Sequence, residues 1–221
     1  MPTRVVIAED HAITRQGLRT VVEDRIDGQV VGETGDGLEV LSLVEAHAPD
    51  VLLLDLTLPG LNGLDVLRQV SNRCPQTAVV VLSMHSEDSY VVRALHSGAA
   101  AYVLKGAATD ELVRAIQAVQ RGEKFLSSTL PTALLDTSES TYGGEVRDRY
   151  AMLTDREREV LQLIAEGYTS QEIGDRLFIS RRTVDKHREN LMAKLELRNH
   201  ADLVRYALQR GLIPLDPPEA P

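Results

Sequence analysis

The sequence predicts an α/β protein: a doubly wound, five-stranded parallel sheet followed by a small all-α helix-turn-helix domain. Three observations predict it. Short β-branched runs alternate with helix-period segments over residues 1–122. Three of those runs, VLLL, AVVVL and YVL, are almost wholly apolar, as strands covered on both faces must be. From Thr154 onward the periodicity is helical only, with a capping signature repeated at each start.

The strands are expected at Arg4–Ala8, Gln29–Gly32, Val51–Leu54, Thr77–Leu82 and Ala101–Leu104. Helices fill the gaps. His11–Asp24 turns Ile13, Leu18, Val21 and Val22 inward, and Gly37–His47 turns Val40, Leu41 and Val44. Gly63–Arg73, Ser86–Ser97 and Thr109–Arg121 follow. Gly98 and Gly122 stand where left-handed C-terminal caps belong. Five strand–helix units in series wind a parallel sheet.

Residues 1–125 therefore read as one domain and 126–149 as a linker: SSTLPTALLD holds one short helix, and TSESTYGGEVRD carries Gly-Gly and little apolar content. Residues 150–213 read as the second domain. Thr154–Glu157 and Thr169–Glu172 each have capping-box spacing, with Val160, Leu161, Ile164, Ile173 and Leu177 as the buried stripe. FIS makes a tight turn, Ser180 caps a helix to about Leu195, and a last helix spans about His200–Gln209. The tail 214–221, with DPPEAP, is expected to be disordered.

The net charge of −9 argues against a nucleic-acid coat over the whole chain. The charge is uneven. Residues 1–125 carry 11 basic against 17 acidic side chains, net −6; residues 150–213 carry 11 against 10, net +1. Only the second segment would not repel a polyanion. Cys74 is the sole cysteine, so no internal disulfide or thiolate cage forms. No apolar run reaches the ~18–20 residues of a membrane span, and MPTRVVIAED enters a strand directly. These features point to a cytoplasmic protein with no membrane partner.

The chemistry sits at strand ends. Glu9 and Asp10 follow RVVIA, Asp55 follows VLLL, Ser83 follows AVVVL and Lys105 follows AYVL. In an open parallel sheet these positions converge on one edge. Three carboxylates there repel one another unless a cation sits among them. A carboxylate nucleophile can accept a phosphoryl group as an acyl phosphate, provided the phosphoryl charge is neutralised. Mg2+ suits the task, with Asp10 and Asp55 as direct ligands, Glu9 bound directly or through water, and the Thr57 carbonyl turning back toward the ion. Lys105 would pair with one phosphoryl oxygen and Ser83 would donate to another. His11 reads as a helix start, and His85 and His96 as surface residues.

EDH at 9–11, DLTLPGLNG at 55–63, LSMH at 82–85 and YVLKG at 102–106 resemble the receiver domain of two-component response regulators, a flavodoxin-like fold. The resemblance covers essentially all of 1–122. It implies that Asp55 is phosphorylated by a sensor histidine kinase with Mg2+, that Asp10 and Glu9 are the metal acids, and that Ser83, Tyr102 and Lys105 are the switch hydroxyl, switch aromatic and invariant lysine. It further implies that Ser83 moves toward the phosphoryl group and Tyr102 turns inward, reshaping the surface around Ser86–Ser97 and Thr109–Arg121. Many receivers have proline after the lysine; this chain has Gly106.

LTDREREVLQLIAEGYTSQEIGDRLFISRRTVDKHRENLMAKL resembles the LuxR-type DNA-binding domain, and the two together resemble the NarL/FixJ class of response regulators. The resemblance implies that the helix Ser180–Leu195 enters the major groove of promoter DNA. Candidate contacts are Arg181, Arg182, Thr183, Asp185, Lys186, His187 and Arg188, with Val184 either packing inward or touching a thymine methyl. Asp185 stands where lysine is frequent, and suits a cytosine amino group rather than a phosphate. A module of net +1 binds DNA weakly as one copy, so a homodimer on a palindromic site is expected once Asp55 is phosphorylated. An aspartyl-nucleophile phosphatase, the enzyme alternative, would show Asp-x-Asp after the first strand. Here Asp55-Leu-Thr57 follows a later strand, so no enzymatic activity is expected.

Overall fold

The structure is a computed structural model that describes residues 2–136 and 149–213. It divides into two compact units. The linker segment 137–148 and the tail from 214 lie outside the described residues.

The first unit is built from β1 (Thr3–Ala8), α1 (Ala12–Arg25), β2 (Gly28–Thr34), α2 (Gly37–His47), β3 (Val51–Asp55), α3 (Gly63–Arg73), β4 (Ala78–Ser83), α4 (Asp88–His96), β5 (Ala101–Leu104), α5 (Thr109–Gln120) and β6 (Phe125–Leu126). The sheet order is β2-β1-β3-β4-β5-β6, all parallel. The order reverses between β1 and β3, which is where a doubly wound sheet opens a crevice at the strand ends.

Alternation along the strands separates two cores. Val5, Ile7, Val51, Leu53, Val80, Leu82, Ala101 and Val103 pack against Leu18 and Val22 of α1 and Leu112, Ala115, Ile116 and Val119 of α5. The opposite side chains, Val6, Leu52, Leu54, Val79, Val81 and Tyr102, are equally buried, on the face where α2, α3 and α4 contact the sheet. The all-apolar runs in the sequence are the strands with both faces covered.

The sheet has six strands rather than five. Phe125 and Leu126 pair with Ala101 and Tyr102. Two residues are too short to carry a period, so Leu126 reads as linker in the sequence and as sheet in the fold. A 3-10 turn follows at Thr132–Asp136 and lies against α4. Gly98 and Gly122 take φ of +106° and +75°, as expected of left-handed caps.

Gly63 has a different role. A Cβ there would overlap the backbone carbonyl of Asp55, and the Gly63 amide donates to the Leu56 carbonyl at 2.9 Å. The start of α3 is therefore pressed against the loop that leaves β3, and only glycine permits that approach.

The second unit contains α6 (Asp155–Ala165), α7 (Ser170–Leu177), α8 (Arg181–Leu195) and α9 (His200–Arg210). Thr154 and Thr169 each form a full capping box, with Glu157 and Glu172. Ser180 accepts from the Thr183 amide to start α8, and Asn199 accepts from Asp202 to start α9. The core is Val160, Leu161, Ile164, Ile173, Leu177, Val184, Leu191, Leu195, Leu203 and Ala207. α7 and α8 are joined by Phe178 at φ +55°, whose ring is 95% exposed. No helix among the described residues is long and apolar enough to cross a membrane.

Candidate functional site

The four strand ends meet as the topology requires. Glu9 follows β1 and is fully buried, Asp55 ends β3 and is 2% exposed, Ser83 ends β4 and is 1% exposed. Lys105 follows β5, and its Nζ lies 2.8 Å from Asp55 Oδ2 and 2.8 Å from Glu9 Oε2. The sequence reading paired Lys105 with a future phosphoryl oxygen; the fold shows it joining two carboxylates. Asp55 Oδ1 accepts from the Thr57 amide at 3.1 Å. Asp10 opens to solvent, and its Oδ1 lies 2.7 Å from His11 Nδ1.

The electrostatics follow from burial. Desolvation is the largest influence on Asp55 and pushes its carboxyl above the usual range, against the pull of Lys105 and the Thr57 amide. Desolvation also acts on Lys105, yet the Asp55 and Glu9 contacts outweigh it and the ammonium is held above its ordinary value. Asp10 raises His11 by direct charge attraction.

Donor atoms of Glu9, Asp10, His11 and Asp55 lie within 4.8 Å of one another. Three carboxylates offset by one ammonium leave two negative charges, the complement of one divalent cation. Glu9 Oε2 is buried against the Lys105 ammonium at 2.8 Å. An oxygen-rich set of clustered carboxylates with net negative charge fits a hard ion such as Mg2+. His11, read in the sequence as a helix start rather than a metal ligand, does occupy the N-cap of α1, and its imidazole also lies at the rim of the site beside Asp10.

Ser83 and Tyr102 are linked through one residue. Ser83 Oγ accepts from the His85 amide at 3.0 Å, and the Tyr102 hydroxyl donates to the His85 carbonyl at 2.8 Å. The His85 ring stacks on Tyr90 of α4, with centroids 4.2 Å apart and planes 6° from parallel. His85 is thus no plain surface residue. Tyr102 is 0% exposed, so it already occupies the inward position that the sequence reading reserved for the phosphorylated state. The alternation of β5 decides this: Ala101 and Val103 face α1 and α5, so Tyr102 faces α4. Burial pushes the phenol up to about 12, so it remains a hydrogen-bond donor at physiological pH.

On α8 the helical repeat sorts the predicted DNA contacts. Arg181, Arg182, Thr183 and Lys186 are exposed, while Asp185, His187 and Arg188 are half-buried. Val184 is fully buried with Leu191 and Leu195. This corrects its place among the candidate contacts, because the inward face of α8 is needed for the core. Glu189, unassigned in the sequence, is exposed on the same outward line as Arg182 and Lys186. Lys194, one of the basic residues of this helix, is committed to Glu157, with Nζ 2.6 Å from Oε2.

The comparisons agree with this division. Residues 5–117 match the family model described as response regulator receiver domain, and residues 151–207 match that of bacterial regulatory proteins, luxR family. The oxygen regulatory protein NreC of Staphylococcus carnosus (strain TM300) is 35% identical over 214 residues, covering 95% of this chain and 99% of NreC. A structure of two RcsB dimers bound to two parallel DNAs is similar at 28% identity and TM-score 0.56, covering 93% of this chain and 98% of that one. The signal receiver domain of the putative response regulator NarL from Mycobacterium tuberculosis is 37% identical, with TM-score 0.53, over 55% of this chain and 98% of that one.

Proposed function

Because the chain belongs to the response regulators that join a receiver domain to a LuxR-family DNA-binding domain, we propose that a sensor histidine kinase phosphorylates Asp55 and that this controls promoter binding through α8. The observation that carries the reading is the Asp55 carboxylate held between Lys105 and the Thr57 amide, beside the acids Glu9 and Asp10.

The step is a displacement at phosphorus. An Asp55 carboxylate oxygen attacks the phosphoryl group, the bond from phosphorus to the kinase imidazole breaks, and the electron pair stays on that nitrogen. A Mg2+ held by Asp10, Asp55, the Thr57 carbonyl and Glu9 supplies charge neutralisation when bound. Lys105 leaves its carboxylate partner to pair with a phosphoryl oxygen, and the Ser83 hydroxyl turns to donate to another. Ser83 then no longer accepts from the His85 amide, so the β4–α4 turn and the Tyr102 bond to it are re-set.

The phosphoryl group serves as a signal on the chain itself, so the protein acts as a regulator and not as an enzyme on a third substrate. A phosphorylation-dependent homodimer doubles the DNA contacts of a module with net +1. Lys186, Arg181 and Arg182 grip DNA, Thr183 supports them at the backbone, and Asp185, His187 and Arg188 border the groove. The similarity to the DNA-bound RcsB dimers supports both points. The work belongs in the cytoplasm, where kinase and DNA are both accessible.

The test is intact-mass measurement after incubation with acetyl phosphate and Mg2+. One phosphoryl adduct is expected on the native chain and none on Asp55→Asn. An adduct of equal yield on Asp55→Asn would refute the assignment.

A further inference from the structure

The segment after α5 reads as the start of a flexible tether, yet its first residues are bonded into the switch side of the first unit. The Ser127 amide donates to the Tyr102 carbonyl at 2.9 Å. The Ser127 hydroxyl accepts from the Leu104 amide at 3.0 Å and donates to Glu111 Oε2 at 2.7 Å. The Ser128 amide donates to Glu111 Oε1 at 3.1 Å, and the Ser128 hydroxyl bonds the same oxygen. Ser127 is 1% exposed and Glu111 6% exposed. Beyond them the Leu130 amide closes on the Ser127 carbonyl at 2.9 Å, and the 3-10 turn Thr132–Asp136 rests against α4.

The position of these bonds matters. Leu104 ends β5 beside Ser83 and directly precedes Lys105, and Tyr102 lies two residues before it on the same strand. The loop from Lys105 to the start of α5 is open at Gly106, while Ala107 packs against the core. A Cβ on Gly106 would meet no atom within 4 Å. A cavity of about 510 Å³ lies alongside it, bordered by Ser83 and Met84 on one side and Ser128 and Thr129 on the other. The loop borders open space, and it is fastened by the Lys105 amide on the Ser83 carbonyl at 2.9 Å and by the Ser127–Glu111 pair. Glu111 sits in the first turn of α5, where the helix N-terminus favours its charge. Its hydrogen bonds to Ser128 and Ser127 hold the carboxyl below its ordinary value, so the anchor stays ionised across the physiological range.

We propose that Ser127 and Glu111 form an anchor through which displacement of Lys105 and Leu104 on phosphorylation of Asp55 is passed to the segment 127–136, making that segment a responsive strap rather than a passive tether. This inference rests on the reading of Asp55 as the phosphoacceptor. When Lys105 shifts from Asp55 to a phosphoryl oxygen, Leu104 moves with it, and the Leu104 amide pulls on the Ser127 hydroxyl. Glu111 and Ser127 are positioning residues: neither touches the reacting atoms.

Hydrogen exchange on the full chain, before and after acetyl phosphate with Mg2+, tests the coupling, with intact mass recording phosphoryl uptake in the same samples. On the native chain, uptake is expected to change amide exchange in 127–136 by roughly tenfold, the effect of one hydrogen bond of about 1.4 kcal/mol. Ser127→Ala is expected to take up phosphate at the native rate while its strap exchanges fast in both states. Ser127→Thr, which keeps the hydroxyl, is expected to keep the response. Uptake with unchanged exchange in 127–136 overturns the inference alone, as does a full response in Ser127→Ala. Absence of uptake on the native chain overturns the Asp55 reading and the strap with it.

Discussion

Lys105 Nζ lies 2.8 Å from Asp55 Oδ2, and the same nitrogen holds Glu9. One ammonium thus pairs with two acids buried beside each other before any phosphoryl group arrives. Replacing Lys105 with Met leaves both carboxylates without that partner. The loss of a buried partner costs on the order of 3 kcal/mol. The urea midpoint of the receiver is expected to fall accordingly and to recover in part on adding Mg2+, which replaces the missing charge. A Lys105→Met protein as stable as the native one, and indifferent to Mg2+, contradicts this account of the site.

Gly63→Ala tests the approach of α3 to the β3 loop. The added methyl meets the Asp55 carbonyl directly, so the backbone must shift by the overlap. Stability is expected to drop by about 2 kcal/mol and phosphoryl uptake from acetyl phosphate to slow by at least tenfold, since the Asp55 carboxylate is moved. A Gly63→Ser variant should behave alike, because the clash is with Cβ and not with chemistry. Native uptake in both would show that the loop tolerates displacement.

The ion pair of Lys194 with Glu157 links α8 to the N-terminal turn of α6. Burial pushes the Glu157 carboxyl up, but Lys194 and the Thr154 amide outweigh it, and the group sits below its ordinary 4.5. A depressed carboxyl contributes stability above the unfolded value, and that contribution is lost as pH falls through the folded value. The second unit should therefore lose melting temperature between about pH 5 and pH 3, and Lys194→Met should flatten that part of the profile. The comparison is read by circular dichroism on the full chain; parallel profiles for both proteins would remove the pair from the account.

On α8, two neighbours two residues apart are expected to fail in different ways. Lys186→Ala should weaken DNA binding by roughly tenfold or more and reduce the salt slope by about one, as loss of a phosphate contact does. Val184→Ala should lower stability by about 1–3 kcal/mol through a core cavity, with DNA affinity at low temperature little changed. Fluorescence anisotropy with DNA selected from a random pool, alongside thermal melts, separates the two. A Val184→Ala protein of native stability but lost affinity would return that side chain to the DNA face.

Much of this molecule is legible in its sequence because the signals are local. Strands covered on both faces must be apolar throughout, so VLLL and AVVVL declare themselves. Capping boxes join residues three apart, so Thr154 with Glu157 and Thr169 with Glu172 are visible without a fold. Parallel strands end on one edge, so Glu9, Asp55, Ser83 and Lys105 could be gathered before any coordinates existed. The sixth strand was not visible, since Phe125 and Leu126 are too few to show a period. For Val184 the sequence offered two readings, inward or toward a thymine methyl, and the packing of α8 with Leu191 and Leu195 in the core decided for the first.

The sequence by itself determined the two-part plan, the strand-end chemistry and the helix that carries positive charge. Only the tertiary structure decided the pairings: Lys105 with two acids before any phosphoryl group, Tyr102 already inside, Lys194 spent on Glu157, and Ser127 fastened between Leu104 and Glu111. Each of these joins residues 16 or more positions apart, or turns on which face of a strand meets which helix. Periodicity sets most faces within an element, although Ile13, expected inward, is 91% exposed at the start of α1; the partner across the gap is chosen by packing, where burial makes an unpaired polar group too costly to leave alone.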